Sequence, residues 1–198
     1  MVTKQVENFA RQSIFDALSG LFVQPEGEGV LERYRAALEA AAGLAAEIGA
    51  DAAPFEAALQ QPLPTEAEVA REFARLFLGV GESTTPLSES VWTSPEHLLC
   101  QDAQLACRKI YREAGLETAG LYGLPEDHLG LQLAFTAVLI LKEKADEAAR
   151  FFAEHPGRWL PSFTDAVRAR GDAEFFRTVA DVLDAVAAME AQLREERA

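Results

Sequence analysis

Pro125 to Leu141 reads PEDHLGLQLAFTAVLIL, and this stretch decides the fold. Pro125-Glu126-Asp127-His128 reads as a helix start. The fixed φ of Pro125 suits a first helical turn. Glu126 and Asp127 place carboxylates where unbonded N–H groups and the positive end of the helix dipole favour them. From there Leu129, Leu131, Leu133, Phe135, Val138, Leu139, Ile140 and Leu141 cover nearly every direction around a 3.6-residue helix. A helix that is apolar all round is buried. At 1.5 Å per residue it spans about 20 Å, too short to cross a bilayer. The stretch therefore predicts a central helix in an all-α domain. Its polar start, with Asp127 and His128, is expected to emerge at a surface or cleft.

The remaining chain fits one domain built around that helix. Its 198 residues suffice for a full core and are read as a single domain over 1–198. Alanine is abundant and runs of Val, Ile and Thr are missing, which favours helix over strand. With 32 acidic against 18 basic residues the net charge is −14. Nucleic-acid binding is disfavoured, because phosphates call for a basic face. The charge favours basic partners, or serves solubility alone. Cys100 and Cys107 are the only cysteines and fall seven apart on one expected helix, too far for a disulfide. Two thiols also fall short of an iron–sulfur cluster or an all-cysteine zinc site. The first twenty residues contain no apolar signal core and no twin arginine. With no export signal and no membrane span, the expected compartment is the reducing cytoplasm.

Periodicity gives about eight to ten helices. The first spans residues 3–22 and the second 30–48, closed by Gly49. Pro54, Pro62 and Pro64 leave room for one short helix. Thr65 and Glu68 form a T-x-x-E capping box before a helix over 66–78. Residues 79–94, GVGESTTPLSESVWTS, are the longest irregular stretch, and long loops in compact domains are often functional. Ser94 and Pro95 are read as capping a helix over 97–114. A turn with Gly120 and Gly123 leads to the central helix. A helix over 146–154 is broken at His155-Pro156-Gly157. Trp159-Leu160-Pro161 opens a short helix ending near Gly171. Asp172 is read as the cap of a last, long helix, and the tail REERA as frayed. No strand and no internal repeat is evident.

The search for chemistry gives few candidates. G-x-S-x-G, H-E-x-x-H and G-x-G-x-x-G are all missing. GVGEST at Gly79 lacks the lysine of a phosphate loop and follows a helix. His97, His128 and His155 lie in separate segments without paired spacing, so no metal site is expected. Asp127 and His128 are adjacent at a helix start and point apart, unlike the oriented pair of a triad. They are either a cap and a first-turn residue or part of a binding cleft. Phe73, Leu76 and Phe77 are a core stripe or one wall of a groove. Trp92 ends a polar loop, as an anchor or as a groove wall.

Five segments in order resemble the TorD/DmsD-type redox enzyme maturation chaperones. EFARLFLG at Glu72 is similar to the E-[YF]-x-x-L-F-x-G segment of that family, and PLSESVW at Pro86 to the loop that follows it there. YREAGL at Tyr111, PEDH at Pro125 with Leu133, and FFAEHPGRWLPSF at Phe151 match three further segments. Gln132 stands where Glu is more usual, Pro156-Gly157 is an added interruption, and residues 50–64 give no match. The resemblance implies an all-helical chaperone without cofactor or catalytic activity. Such a chaperone binds the twin-arginine leader of a molybdopterin oxidoreductase precursor until its cofactor is inserted. The peptide-binding residues it implies are Pro125, Asp127 and His128, the loop residues Pro86, Glu89 and Trp92, and Phe73, Leu76 and Phe77 facing them. Asp127 and Glu89 would meet guanidinium groups, and the apolar side chains the leader's middle. Two alternatives stand beside this: an assembly scaffold for the mature part of a respiratory oxidoreductase, and a hydrolase using Asp127 and His128. Either a monomer or a domain-swapped dimer is compatible with the Pro-rich hinges.

Overall fold

The computed structural model describes residues 3–80, 84–118 and 123–196. Gly120, the middle of GVGEST and the last two residues of the tail lie outside them. Ten α-helices occur among the described residues: α1 (Lys4–Val23), α2 (Val30–Ile48), α3 (Ala53–Gln60), α4 (Glu66–Phe77), α5 (Glu89–Thr93), α6 (Asp102–Glu113), α7 (Leu129–Leu141), α8 (Ala145–Glu154), α9 (Pro156–Arg168) and α10 (Phe175–Glu195). Extended pairing there is limited to one isolated bridge, Ser88 with His128. The all-α expectation holds. None of the described helices is long and apolar enough to cross a membrane.

Local signals set several boundaries as read. Thr65 Oγ1 accepts the Glu68 N–H at 3.3 Å, and Glu68 Oε2 accepts the Thr65 N–H at 2.8 Å. The capping box thus closes reciprocally. Gly49 ends α2 at φ 74°, where a side chain would be strained.

The core forms where the apolar stripes meet. α7 packs chiefly against α1, and α1 also against α2. Leu129, Leu133, Leu139 and Ile140 of α7 are buried, as are Ile14, Phe15, Leu18, Leu21 and Phe22 of α1. The far end of α7 surfaces, with Leu141 70% exposed. Within the core, Arg11 of α1 donates from Nε and Nη2 to both carboxylate oxygens of Glu190 on α10, at 2.6 and 2.7 Å. The fork geometry satisfies two buried charges at once.

Five boundary readings need correction. The helix read over 97–114 starts at Asp102, because His97 and Cys100 adopt φ of 52° and 61°. Left-handed residues interrupt a helix, so Cys100 stands outside it, exposed, while Cys107 is buried and both thiols are free. The irregular stretch holds a short helix, α5. The central helix begins at Leu129, not Pro125, because the Pro125 carbonyl accepts the His128 N–H in a turn and His128 becomes the cap. α9 starts at Pro156 itself, with Pro161 accommodated inside. The N-cap of α10 is Glu174, not Asp172. The carboxylate of Glu72 on α4 supplies the capping oxygens.

Candidate functional site

The segment from Thr85 to Trp92 is laced to the turn before α7. Leu129 N–H donates to the Leu87 carbonyl at 2.7 Å, and Glu89 N–H to the Asp127 carbonyl at 3.0 Å. Asp127 Oδ2 accepts the Ser90 N–H at 2.8 Å. That carboxylate therefore serves the first turn of α5, where N–H groups lack helical partners. His128 Nδ1 accepts the Gly130 N–H at 3.2 Å and serves α7. The two adjacent side chains cap two different helices. They do not form an acid–base pair.

Their expected emergence at a surface fails. Asp127 is fully buried and His128 nearly so, with Asp127 Oδ2 and His128 Nδ1 turned to the backbone N–H groups of Ser90 and Gly130. Burial raises the Asp127 carboxyl above the usual aspartate range. It pulls the His128 imidazole down to about 4, so the ring is neutral near pH 7 and able to accept. Asp127 Oδ1 has no hydrogen-bond partner among the described residues. The neighbouring Glu126 faces outward instead, held by Arg108 Nε at 2.7 Å and Gln104 Nε2 at 2.6 Å. The Arg108 hydrogen bonds hold its carboxyl at about 2.

Glu89 also lies inside. Its Oε2 accepts from Gln132 Nε2 at 2.5 Å and lies 3.1 Å from His155 Nδ1. Phe73, Leu76 and Phe77 are core residues: Phe73 and Phe77 join Phe176 in one aromatic cluster, and Phe77 also meets Phe22 and Phe163. Three of the expected residues remain half-buried, Pro86, Trp92 and Pro125. Trp92 donates from Nε1 to the Pro86 carbonyl at 3.0 Å and stacks on Trp159 at 6.3 Å. One edge of the loop is thereby fixed with part of an indole left accessible.

The structure adds residues that the sequence reading passed over. Leu98 and Leu99 are 57% and 55% exposed, directly after α5. His97 Nδ1 lies 2.8 Å from the Val91 carbonyl, which ties this turn to α5. Exposed Glu96 and Asp102 flank the leucine pair. Assigning residues 97–114 to one helix hid them, since leucines there read as part of a core stripe.

An all-helical domain in which a short helix is bound side by side with the start of a buried central one is the class defined here. Residues 41–165 match the family described as nitrate reductase delta subunit, and the chain belongs to that family. Its likeness to the TorD/DmsD-type chaperones is shown by individual relatives. The Tat proofreading chaperone DmsD of Salmonella typhi is 32% identical over 114 residues, covering 58% of this chain and 53% of the relative. A probable Tat proofreading chaperone DmsD of Haemophilus influenzae is 27% identical over 112 residues, 57% and 55% of the two chains. The chaperone protein TorD of Photobacterium profundum is 22% identical over 202 residues, 96% and 85%. The match thus spans about half the length of the DmsD relatives.

Proposed function

We propose that this protein is a cytoplasmic chaperone that binds the twin-arginine leader of a molybdoenzyme precursor and makes or breaks no bond itself. The observation that carries the reading is the exposed pair Leu98–Leu99 between Glu96 and Asp102, next to the half-exposed Trp92. A twin-arginine leader has a basic head and an apolar middle. Leucine and indole surfaces suit the middle, and the flanking carboxylates suit guanidinium groups. Pro86, Trp92 and Pro125 line the accessible edge. Glu89 and Asp127 hold the loop by buried hydrogen bonds, and His128 caps α7 beside it. Phe77, packed with Phe73 in the core, stacks on the Phe163 ring that Trp92 meets edge-on, while Leu76 gives its carbonyl to the Thr85 N–H. The names of the DmsD and TorD relatives support the same role. The separate capping duties of Asp127 and His128 argue against the hydrolase alternative.

The test is calorimetric titration of synthetic twin-arginine leaders of the host's molybdoenzymes into the purified protein. Binding of at least one leader, weakened about tenfold or more by Leu98→Ser/Leu99→Ser or by Trp92→Ala in folded protein, is expected. Equal affinity in both variants overturns the site. The alternative is an assembly scaffold for the mature part of a respiratory oxidoreductase. Capture of leaderless enzyme as tightly as the precursor would select that reading instead.

A further inference from the structure

Beneath α5, three potential metal ligands converge from elements far apart in the chain. Glu89 opens α5, Cys107 lies in α6 and His155 joins α8 to α9. All three are buried, and one donor atom of each lies within 4.8 Å of the other two. His155 Nδ1 is 3.1 Å from Glu89 Oε2 and 3.5 Å from Cys107 Sγ.

The two spacings to His155 Nδ1 are those of ligands sharing one small ion. A sulfur at about 2.3 Å and a nitrogen at about 2.0 Å from a tetrahedral centre lie about 3.5 Å apart. A nitrogen and an oxygen at about 2.0 Å lie about 3.3 Å apart. Charge balances as well: a divalent ion with one thiolate, one carboxylate and one neutral imidazole sums to zero. A neutral assembly is what a buried position tolerates. The thiolate and imidazole select a zinc-like ion over magnesium or calcium.

The surroundings fit a supported site. Gln132 Nε2 donates to Glu89 Oε2 and lies 3.4 Å from Cys107 Sγ, so one amide steadies both anionic ligands. Gln132 is itself held by Trp159, whose Nε1 donates to its Oε1 at 3.3 Å. Phe151 stacks on the His155 ring at 4.8 Å and fixes its plane. Three protein ligands leave a fourth position for water.

We infer that Glu89, Cys107 and His155 form a binding site for a zinc-like divalent transition-metal ion. Binding displaces the Cys107 thiol proton to solvent and replaces hydrogen bonds with coordination. The ion would clamp α5, α6 and the α8–α9 junction together, linked through Gln132 to Trp159 of the Trp92–Trp159 stack. Sequence spacing gives no sign of it, because His155 lies 48 and 66 residues from the other two ligands.

Cobalt(II) is the probe. Chelator-treated Cys100→Ser protein, in which Cys107 is the one remaining thiol, is titrated with cobalt(II) and then zinc(II). One equivalent of cobalt giving a thiolate-to-cobalt charge-transfer band in the near ultraviolet, removed by zinc, is the expected result. His155→Ala in the same background should weaken binding by about tenfold or more, with helix content unchanged by circular dichroism. Lack of the band in folded Cys100→Ser protein overturns the inference and leaves the cluster a hydrogen-bonded network alone. So does a band that persists at full strength in His155→Ala.

Discussion

Glu72 of α4 caps Phe176 of α10 from 104 residues away, its Oε1 accepting the Phe176 N–H at 2.9 Å. The same oxygen takes the Glu174 N–H at 3.0 Å, and Oε2 takes that of Phe175 at 3.1 Å. One buried carboxylate thus satisfies three N–H groups at the positive end of a 21-residue helix. Glu72→Ala should cost about 2–3 kcal/mol, the scale of hydrogen bonds to a charged group. Glu72→Gln, which keeps one acceptor oxygen, should cost less. Urea midpoints of the two variants check this, and equal, negligible shifts would show that water serves α10 as well.

That contact marks the limit of what the sequence reveals. Where a helix signals its own start, as Thr65 and Glu68 do, the boundary is legible, since both partners lie within one turn. The apolar stripes of α1, α2, α7 and α10 are legible for the same reason: periodicity is local. The start of α10 is not, because Asp172 looks like a cap and the true one comes from α4. Residues 125–128 mislead similarly. A Pro-Glu-Asp-His string before leucines suits a helix start, yet the Asp127 carboxylate and carbonyl are taken by the Ser90 and Glu89 N–H groups, and the helix begins only after His128. At the candidate site, Trp92 stands out in sequence as an aromatic ending a polar loop. The burial of Asp127 and Glu89, and the exposure of Leu98 and Leu99, depend on pairing across the chain and on two left-handed residues.

Asp127 offers a way to separate positioning from direct contact in the proposed binding role. Its Oδ2 holds the Ser90 N–H, and Asp127→Ala leaves that donor unserved. Loss of one such hydrogen bond, about 1.4 kcal/mol, corresponds to about tenfold in leader affinity if α5 must be in place to bind. Asp127→Asn keeps an acceptor oxygen, so its affinity should stay within about threefold of wild type. If the Asn variant loses as much as the Ala variant, the carboxylate charge itself meets the leader.

His128 makes stability depend on pH in a defined window. Its folded-state value near 4 lies below the ordinary 6.5, owing to burial. Between those values the unfolded chain binds the extra proton and the folded protein does not. The contribution is therefore complete above pH 6.5, declines as pH falls, and is lost once pH passes below about 4. The total is on the order of 3 kcal/mol. His128→Asn retains a good N-cap without a titrating ring. The gap between wild-type and variant unfolding free energies should shift against wild type by on the order of 2 kcal/mol between pH 7 and 4.5. A constant gap would mean that the ring titrates normally.

Gly130 of α7 lies against the end of α1 with no room for a side chain. A Cβ added there would stand 2.5 Å from Val23 Cγ2 and 3.3 Å from the Phe22 backbone carbon. The first distance is impossible, and a valine side chain has little freedom to turn away. Alanine in place of glycine inside a helix should by itself gain up to about 1 kcal/mol. Overpacking in a dense core typically costs about 1–3 kcal/mol. The clash outweighs the propensity gain, because it falls on α1, the main packing partner of α7. Gly130→Ala should therefore lower stability by about 1–2 kcal/mol. Val23→Ala removes the clashing methyl groups and leaves only the milder contact with Phe22. In that background Gly130→Ala should become neutral or slightly stabilising, a coupling of about 1–2 kcal/mol between the two positions. Urea denaturation of the four proteins in the cycle measures it. If the Gly130→Ala penalty is the same with either residue at position 23, the Phe22 backbone, and not the valine, sets the spacing of α1 and α7.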